Sequence, residues 1–231
     1  MTDVDSLTRL EAALPLLQSA VDQQHLGKAL TRASGATADM PRHNERLAAL
    51  GATLSLLPDY LDGRALDIRN VAEDILDLGD AMKAAESSDD LDDIVRDVRK
   101  IDQFLSALHR AAVALAGAYC RDNVAPLRAL EGLFGRMGRT DLADAVDQLH
   151  KKESALAAAG NALPAKLAEL QDARKSLASE LTALASDPEV DAFLTSFARA
   201  GSVSLNLVTS KVLDWLADQS ALDQFTVNAI E

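Results

Sequence analysis

The hydrophobic positions of this chain recur mainly at intervals of three, four and seven residues, the spacing of one face of an α-helix. The longest regular case is a leucine stretch with one leucine at every seventh position. Leucines two helical turns apart share a stripe of the helix, as at the d position of a heptad repeat. These leucines are Leu142, Leu149, Leu156, Leu163, Leu170, Leu177 and Leu184.

The middle of the leucine stretch contains residues that interrupt a helix. Gly160 tolerates the left-handed conformation that ends helices, and Pro164 lacks an amide donor but suits a first helical turn. We therefore expect an antiparallel hairpin that turns near 160–165 and makes partners of Glu153 and Arg174, the charges within the seam. The alternative is one helix over 142–184 that is kinked at Pro164.

Similar seams predict other helices. The most regular covers 91–119, where nine apolar positions follow one another without an error and Ser87 to Asp90 supply the capping groups. Shorter helices are expected from about residue 5 and over 42–57, 59–85 and 126–137.

Two features near the N-terminus are expected to interrupt the helical pattern. Pro15 predicts a kink or a junction between two short helices. The segment Thr31–Pro41, rich in Ser, Gly, Ala and Thr, predicts a loop.

The C-terminal part of the chain has a less regular pattern. A helix is expected over 188–200 and another over 210–218. Residues 202–207 alternate with period two and 225–227 are β-prone, which predicts a β-α-β unit, whereas three-four spacing through Trp215 predicts helices alone. The sequence thus predicts an all-α fold: an antiparallel, coiled-coil-like bundle of long helices over 1–186. A small C-terminal helical or β-α-β unit over 187–231 completes this prediction.

Composition agrees with long helices and restricts the classes of function. Only 3% of the 231 residues are aromatic, and one cysteine, Cys120, leaves no internal disulfide to form. Neither a secretory signal nor a membrane span is evident in the sequence, so we expect a cytoplasmic protein. The net charge of −13 argues against direct binding to nucleic acid or to an anionic membrane.

Two similar segments each place an aspartate and a histidine three residues apart on a helix. They are Asp22 with His25 and Asp147 with His150. Helical bundles present paired metal ligands at this spacing, so a helical-bundle metal-binding protein is one alternative function. The chain lacks Glu-x-x-His, and both histidines lie beside the apolar seam rather than within it. We therefore expect no metal and no cofactor.

Catalytic motifs are also missing from the sequence. His109 precedes Cys120 by eleven residues on one helix, which separates them by about 16 Å along the axis. A Cys–His catalytic pair between these two residues is excluded by that distance. No phosphate loop, nucleophile elbow or zinc spacing is present, and we expect a protein that is not an enzyme.

Charge is distributed unevenly along the chain. Residues 59–102 contain fourteen acidic and six basic residues, which predicts a solvated face, a surface for a basic partner or a mimic of nucleic acid. A modest basic patch is formed by Arg136, Arg139, Lys151 and Lys152.

The tryptophan and three of the five phenylalanines follow residue 190, which suggests a docking end or a local core. The residues that we expect to contact a partner are Phe193, Phe197, Trp215, Leu216 and Phe225. The predicted function is a non-enzymatic scaffold or adaptor that binds another protein subunit within a larger assembly. Because heptad seams can pair between chains as well as within one chain, a homodimer is also compatible with the sequence. A membrane-acting helical protein is the second alternative function.

Overall fold

The structure, a computed structural model, describes residues 4–60, 65–185 and 187–224 and is all-α over these ranges, as predicted. The described residues contain no β-strand. Short 3₁₀ turns occupy Pro58–Tyr60, Ala125–Leu127, Gly160–Ala162, Leu205–Leu207 and Leu222–Gln224. The helices are α1 (Val4–Thr37), α2 (Met40–Ser55), α3 (Ala65–Ala84), α4 (Ser88–Asn123), α5 (Arg128–Arg136), α6 (Thr140–Ser154), α7 (Leu163–Leu184), α8 (Pro188–Ala200) and α9 (Ser210–Asp218).

The chain divides into two compact units. The first unit comprises Met1–Ala48 and Arg64–Leu108, and the second comprises Ala49–Gly63 and His109–Glu231. Helices α2 and α4 contribute residues to both units. Within the second unit α8 packs on α5 and α7. The boundary near 187 stays a prediction from the sequence.

The leucine stretch forms much of the core of the second unit. The leucines from 142 to 177 are buried, and Leu184 is half-buried. Helix α6 ends at Ser154 and α7 begins at Leu163, and the two helices pack against each other. Lys152 at the end of α6 pairs with Glu169 in α7 at 3.2 Å, so the chain reverses between the two helices.

The two charges within this seam do not pair with each other as the sequence predicted. Glu153 lies 3.2 Å from the imidazole of His150, one turn earlier on α6. The guanidinium of Arg174 donates instead to the backbone carbonyl of Asn123 at 3.1 Å. Both groups are thus satisfied by nearer partners, and the predicted Glu153–Arg174 pair is wrong.

The described C-terminal part is helical, so the β-α-β alternative is wrong for residues 187–224. Asp187 caps α8 by accepting from the amide of Glu189, and Gly201 ends it with a φ of 67°. Thr209 caps α9 in the same way. Residues 202–207 alternate between polar and apolar in the sequence, and Leu205–Leu207 among them form a short 3₁₀ turn. The β-prone residues 225–227 lie outside the described residues.

The first unit corrects the predicted loop at residues 31–41. Helix α1 continues to Thr37 and α2 begins at Met40. The hydroxyls of Thr31 and Thr37 each donate to the carbonyl four residues earlier, so these polar residues are accommodated within the helix. Pro15 also lies inside α1, which is a single element.

Helix α4 follows its predicted seam in the first unit. Ile94, Val98, Ile101 and Leu105 are buried there. Its start is fixed by a reciprocal cap, since Ser87 accepts from the Asp90 amide at 3.1 Å and the Asp90 carboxylate accepts from the Ser87 amide at 2.9 Å. These hydrogen bonds to the side chain and backbone of Ser87, and to the backbone of Glu86, lower the pKa of Asp90.

Truncation of the leucine seam should destabilise the second unit. Leu170→Ala retains helix propensity but removes a fully buried side chain from α7, so we expect the free energy of unfolding to fall by about 2–5 kcal/mol. Leu213→Ala is the matched control, because Leu213 is an exposed leucine in α9 and should cost less than about 1 kcal/mol. Urea denaturation followed by circular dichroism measures both, and equal losses would contradict the assigned core.

Candidate functional site

The first unit contains a groove that concentrates positive charge in an otherwise acidic protein. We call it the arginine groove; helices α1, α2 and α4 line it, and its volume is about 660 Å³. Its apolar lining includes Val95 and Val98 of α4. The remaining lining residues are Arg32, Gly35, Ala36, Asp39, Arg42, His43, Arg46, Arg99, Asp102 and Gln103.

Three of the four arginines in the groove are held by acidic partners. Arg46 bonds to Asp102 at 2.6 Å and to the Ser106 hydroxyl at 3.0 Å. In the same unit, Arg32 pairs with Asp92 at 3.1 Å and Arg42 with Asp39 at 3.0 Å. Arg46 is the least exposed of the three, whereas the pairs of Arg32 and Arg42 are exposed to solvent and contribute little to stability.

Arg99 is the exception among the four. It makes no ion pair with any residue that the structure describes. The acidic side chains nearest in sequence have other partners, since Asp93 pairs with Arg96 and Asp97 with Lys100. Arg99 is exposed on α4, so water can solvate its charge.

His43 lies in the wall of the arginine groove and is only 3% exposed. Its Nε2 atom is 3.4 Å from the Asp102 carboxylate. Its Nδ1 atom is buried and has no hydrogen-bond partner among the described residues. A buried polar atom without a partner costs about 1–3 kcal/mol. The described residues contain two more such atoms, His150 Nε2 and Asp191 Oδ1, both in the second unit.

The predicted basic patch is neutralised within the second unit. Arg136 pairs with Asp223, and Arg139 binds Asp141 with two hydrogen bonds of 2.7 and 2.9 Å. Lys151 pairs with Asp147 at 2.6 Å, and Lys152 pairs with Glu169. The sequence thus identified paired cations and missed the arginine groove, whose members are far apart along the chain.

The two predicted metal-binding pairs have little in common structurally. Asp22 and His25 are exposed on α1 in the first unit, whereas Asp147 and His150 belong to α6 in the second. Asp147 pairs with Lys151, and His150 Nδ1 faces Glu153. Over the described ranges, no group of three or more His, Cys, Asp and Glu side chains is arranged to hold a metal ion.

The residues that we expected to contact a partner are largely buried in the second unit. Phe193, Trp215 and Leu216 are in its core, and Phe197 is half-buried and stacks on Phe193 with ring centroids 6.2 Å apart. These positions support the local-core alternative that the sequence left open. Phe225 lies outside the described residues.

Cys120 is buried in the second unit. Burial raises the pKa of its thiol to about 12, and the negative charge of Glu153 acts in the same direction. A nucleophilic cysteine requires the opposite shift, because the thiolate is the reactive form. The environment of Cys120 is that of an unreactive core thiol.

A polar cluster joins the 3₁₀ turn at Pro58–Tyr60 to the end of α4 within the second unit. The Tyr60 hydroxyl donates to Asp122 at 3.1 Å and accepts from Asn123 at 2.9 Å. The rings of Tyr60 and Tyr119 form a T-shaped pair with centroids 6.1 Å apart. Burial, followed by the bond to Asp122, raises the pKa of Tyr60, as expected for a structural phenol.

Helix α1 has an apolar stripe that the chain covers only in part. We call it the α1 stripe, formed by Leu26, Ala29, Leu30 and Ala33, which lie on one face at spacings of three and four. The two alanines are buried, but Leu26 is 41% and Leu30 is 59% exposed. The small residues thus face the protein while the larger ones remain in contact with solvent.

Comparison of the chain with protein-family models, with curated proteins and with solved structures gives no significant match. Among the described residues, no helix combines the length and apolar character that crossing a bilayer requires.

Alkylation of Cys120 should be slow in the folded protein. A pKa of about 12 instead of 9.0 reduces the thiolate fraction at neutral pH about a thousandfold, and burial adds a steric barrier. We expect iodoacetamide to label the native protein at least a hundredfold more slowly than the same protein in urea. Mass spectrometry of timed samples measures both rates, and similar rates would contradict the assigned environment.

The raised pKa of Cys120 also predicts a pH dependence of stability. Between pH 9.0 and about 12 the folded thiol keeps a proton that the unfolded thiol releases, so the free energy of unfolding should fall as pH rises through this interval. Cys120→Ala removes this contribution and should show a shallower decrease. Urea denaturation across the interval compares the two slopes, and identical slopes would refute the shift.

Proposed function

We propose that this protein is a non-enzymatic helical scaffold or adaptor subunit that binds another protein through the α1 stripe of its first unit. The observation that carries the proposal is the exposure of Leu26 and Leu30 beside the buried Ala29 and Ala33. The remaining subunits of the assembly, rather than this chain, would supply any chemistry. We place the complex in the cytoplasm, an inference supported by a single, buried cysteine.

The exposure of α1 supports this proposal beyond the stripe itself. Each side chain of residues 18–28 is exposed, a length of about 16 Å along the helix. Long helices in proteins are stabilised mainly by tertiary packing of an apolar face. A helix that buries only alanines from its stripe has unused apolar area, and a second helix laid along it would bury the flanking leucines.

The occupant that best fits this surface is an amphipathic helix of a different protein that carries basic residues beside its apolar face. Residues 71–93 of the first unit contain nine acidic residues and one basic residue, a net charge of −8. Such a charge repels a second copy of this chain and attracts a basic partner. Leu76, 70% exposed in α3, is a further exposed leucine of the first unit.

The test compares tagged wild-type protein with two double variants. Each protein is purified from the native host in a buffer of moderate ionic strength. Leu26→Gln with Leu30→Gln alters the α1 stripe, while Leu205→Gln with Leu213→Gln alters two exposed leucines of the second unit. We expect a stoichiometric partner with the wild type and the control, and at least a tenfold loss with the α1 variant. A loss of 1.4 kcal/mol of binding free energy already accounts for tenfold.

Circular dichroism should show unchanged helix content in both variants, so that the loss reports binding rather than unfolding. A partner retained by the α1 variant, or lost equally by the control, would contradict the proposal. Light scattering of the wild type supplies a further criterion. A homodimer that the α1 variant dissociates would assign the stripe to a second copy and overturn the adaptor function.

A further inference from the structure

We propose that the partner helix inserts a large apolar side chain beside Gly27, between Leu26 and Leu30, and that this insertion selects the partner. The inference rests on the proposed function, because it specifies how the α1 stripe receives the same occupant. Two observations support it. The exposed leucines flank an exposed glycine in the interior of α1, and a concavity adjoins Leu26.

Four exposed residues of α1 surround a hole on the surface of the helix. Residues at positions i, i+3, i+4 and i+7 of a helix enclose such a hole, and a side chain of a facing helix packs into it as a knob. Gln23, Leu26, Gly27 and Leu30 have this spacing. All four are exposed, and none of them is charged. We call this set the Gly27 hole.

The glycine gives this hole more room than another residue would. Gly27 lies in the interior of α1, where glycine is less favourable for the helix than any residue except proline. Packing within the described residues does not require it, since an added β-carbon would meet no atom within 4 Å apart from its chain neighbours and the adjoining helix backbone. Close approach of a partner is a physical reason for a glycine at such a position.

The backbone beside the Gly27 hole is prepared for burial. A glycine uncovers the helix backbone next to it, and an unpaired carbonyl would oppose the removal of water. The Thr31 hydroxyl donates to the Gly27 carbonyl at 2.9 Å. An apolar side chain can therefore cover the hole without leaving this carbonyl unpaired.

The concavity beside Leu26 continues the same surface towards the start of α1. Its volume is about 500 Å³, and it is lined by Pro15, Gln18, Ser19, Asp22, Gln23 and Leu26. Gln23 and Leu26 belong to both the concavity and the Gly27 hole, so side chains three or four residues apart on one facing helix would reach both. Asp22 is the charged residue of this lining, which favours lysine or arginine there. The partner is thus a helix with a basic residue three or four positions from a large apolar one.

The experiment uses the full chain and two synthetic peptides as probes. Each peptide has three heptads with leucines at the a and d positions and lysines at the flanking positions, where their mutual repulsion opposes self-association. The two peptides differ only at the central d position, which is phenylalanine in one and alanine in the other. Fluorescence anisotropy at constant ionic strength measures the dissociation constant of each peptide.

We expect the wild-type protein to bind the phenylalanine peptide at least about tenfold more tightly than the alanine peptide, because only the larger side chain fills the Gly27 hole. Alanine favours helix formation more than phenylalanine does. Weaker binding of the alanine peptide would therefore not reflect a loss of helix in the probe.

Gly27→Leu fills the hole, so it should weaken binding of the phenylalanine peptide by about tenfold or more. It should leave the alanine peptide within about twofold of its wild-type affinity, and the preference for phenylalanine should disappear. A change in one side chain that cancels the effect of the other is the sign of direct contact in a double-mutant cycle.

Gly35→Leu is the matched control. Gly35 is an exposed glycine of the same helix, and an added β-carbon there also meets no atom of the described residues within 4 Å beyond its neighbours and the helix backbone. It is turned away from Leu30, since five residues correspond to about 140° around a helix. This variant should keep the preference for phenylalanine. Both variants should retain their helix content by circular dichroism, because leucine favours a helix more than glycine does.

Equal affinities of the two peptides for the wild type, or no saturable binding of either, would overturn the inference. An equal loss with Gly27→Leu and Gly35→Leu would also overturn it, because the effect would then not depend on the hole. The proposed function is decided separately, by the native partner and the double variant at Leu26 and Leu30. If that variant loses the partner while the peptides are not distinguished, the adaptor function stands and the Gly27 hole does not select its partner.

Discussion

Leucine side chains seven residues apart pack along α6 and α7, and this burial is the constraint around which the second unit is built. The chain has few aromatic residues, so its core must come from many aliphatic side chains held in register by helices. Lys152 and Glu169 pair across the two helices at their solvent-exposed edge. The other charges of this region are satisfied locally, as Arg174 is by the carbonyl of Asn123, so the seam stays largely apolar.

The first unit is built differently from the second. In the first unit, the large apolar side chains of α4 are mostly buried. In contrast, Leu26 and Leu30 of α1 and Leu76 of α3 are exposed. Among the described residues, buried polar atoms without a hydrogen bond occur in both units, namely His43 Nδ1 in the first and His150 Nε2 and Asp191 Oδ1 in the second. The second unit also exposes leucines, at Leu205, Leu213 and Leu222, so the feature particular to the first unit is that its exposed Leu26 and Leu30 share one helix face with buried alanines.

Sequence reasoning succeeded where the determinants are local. The bounds of α8 and α9 follow from Asp187, Gly201 and Thr209, whose capping roles depend only on neighbouring residues. It failed at residues 31–41, because threonine hydroxyls can bond within a helix as well as end one. The arginine groove was out of reach, since its members come from three helices and meet only through tertiary packing. Arg99 in particular has no distinguishing sequence context.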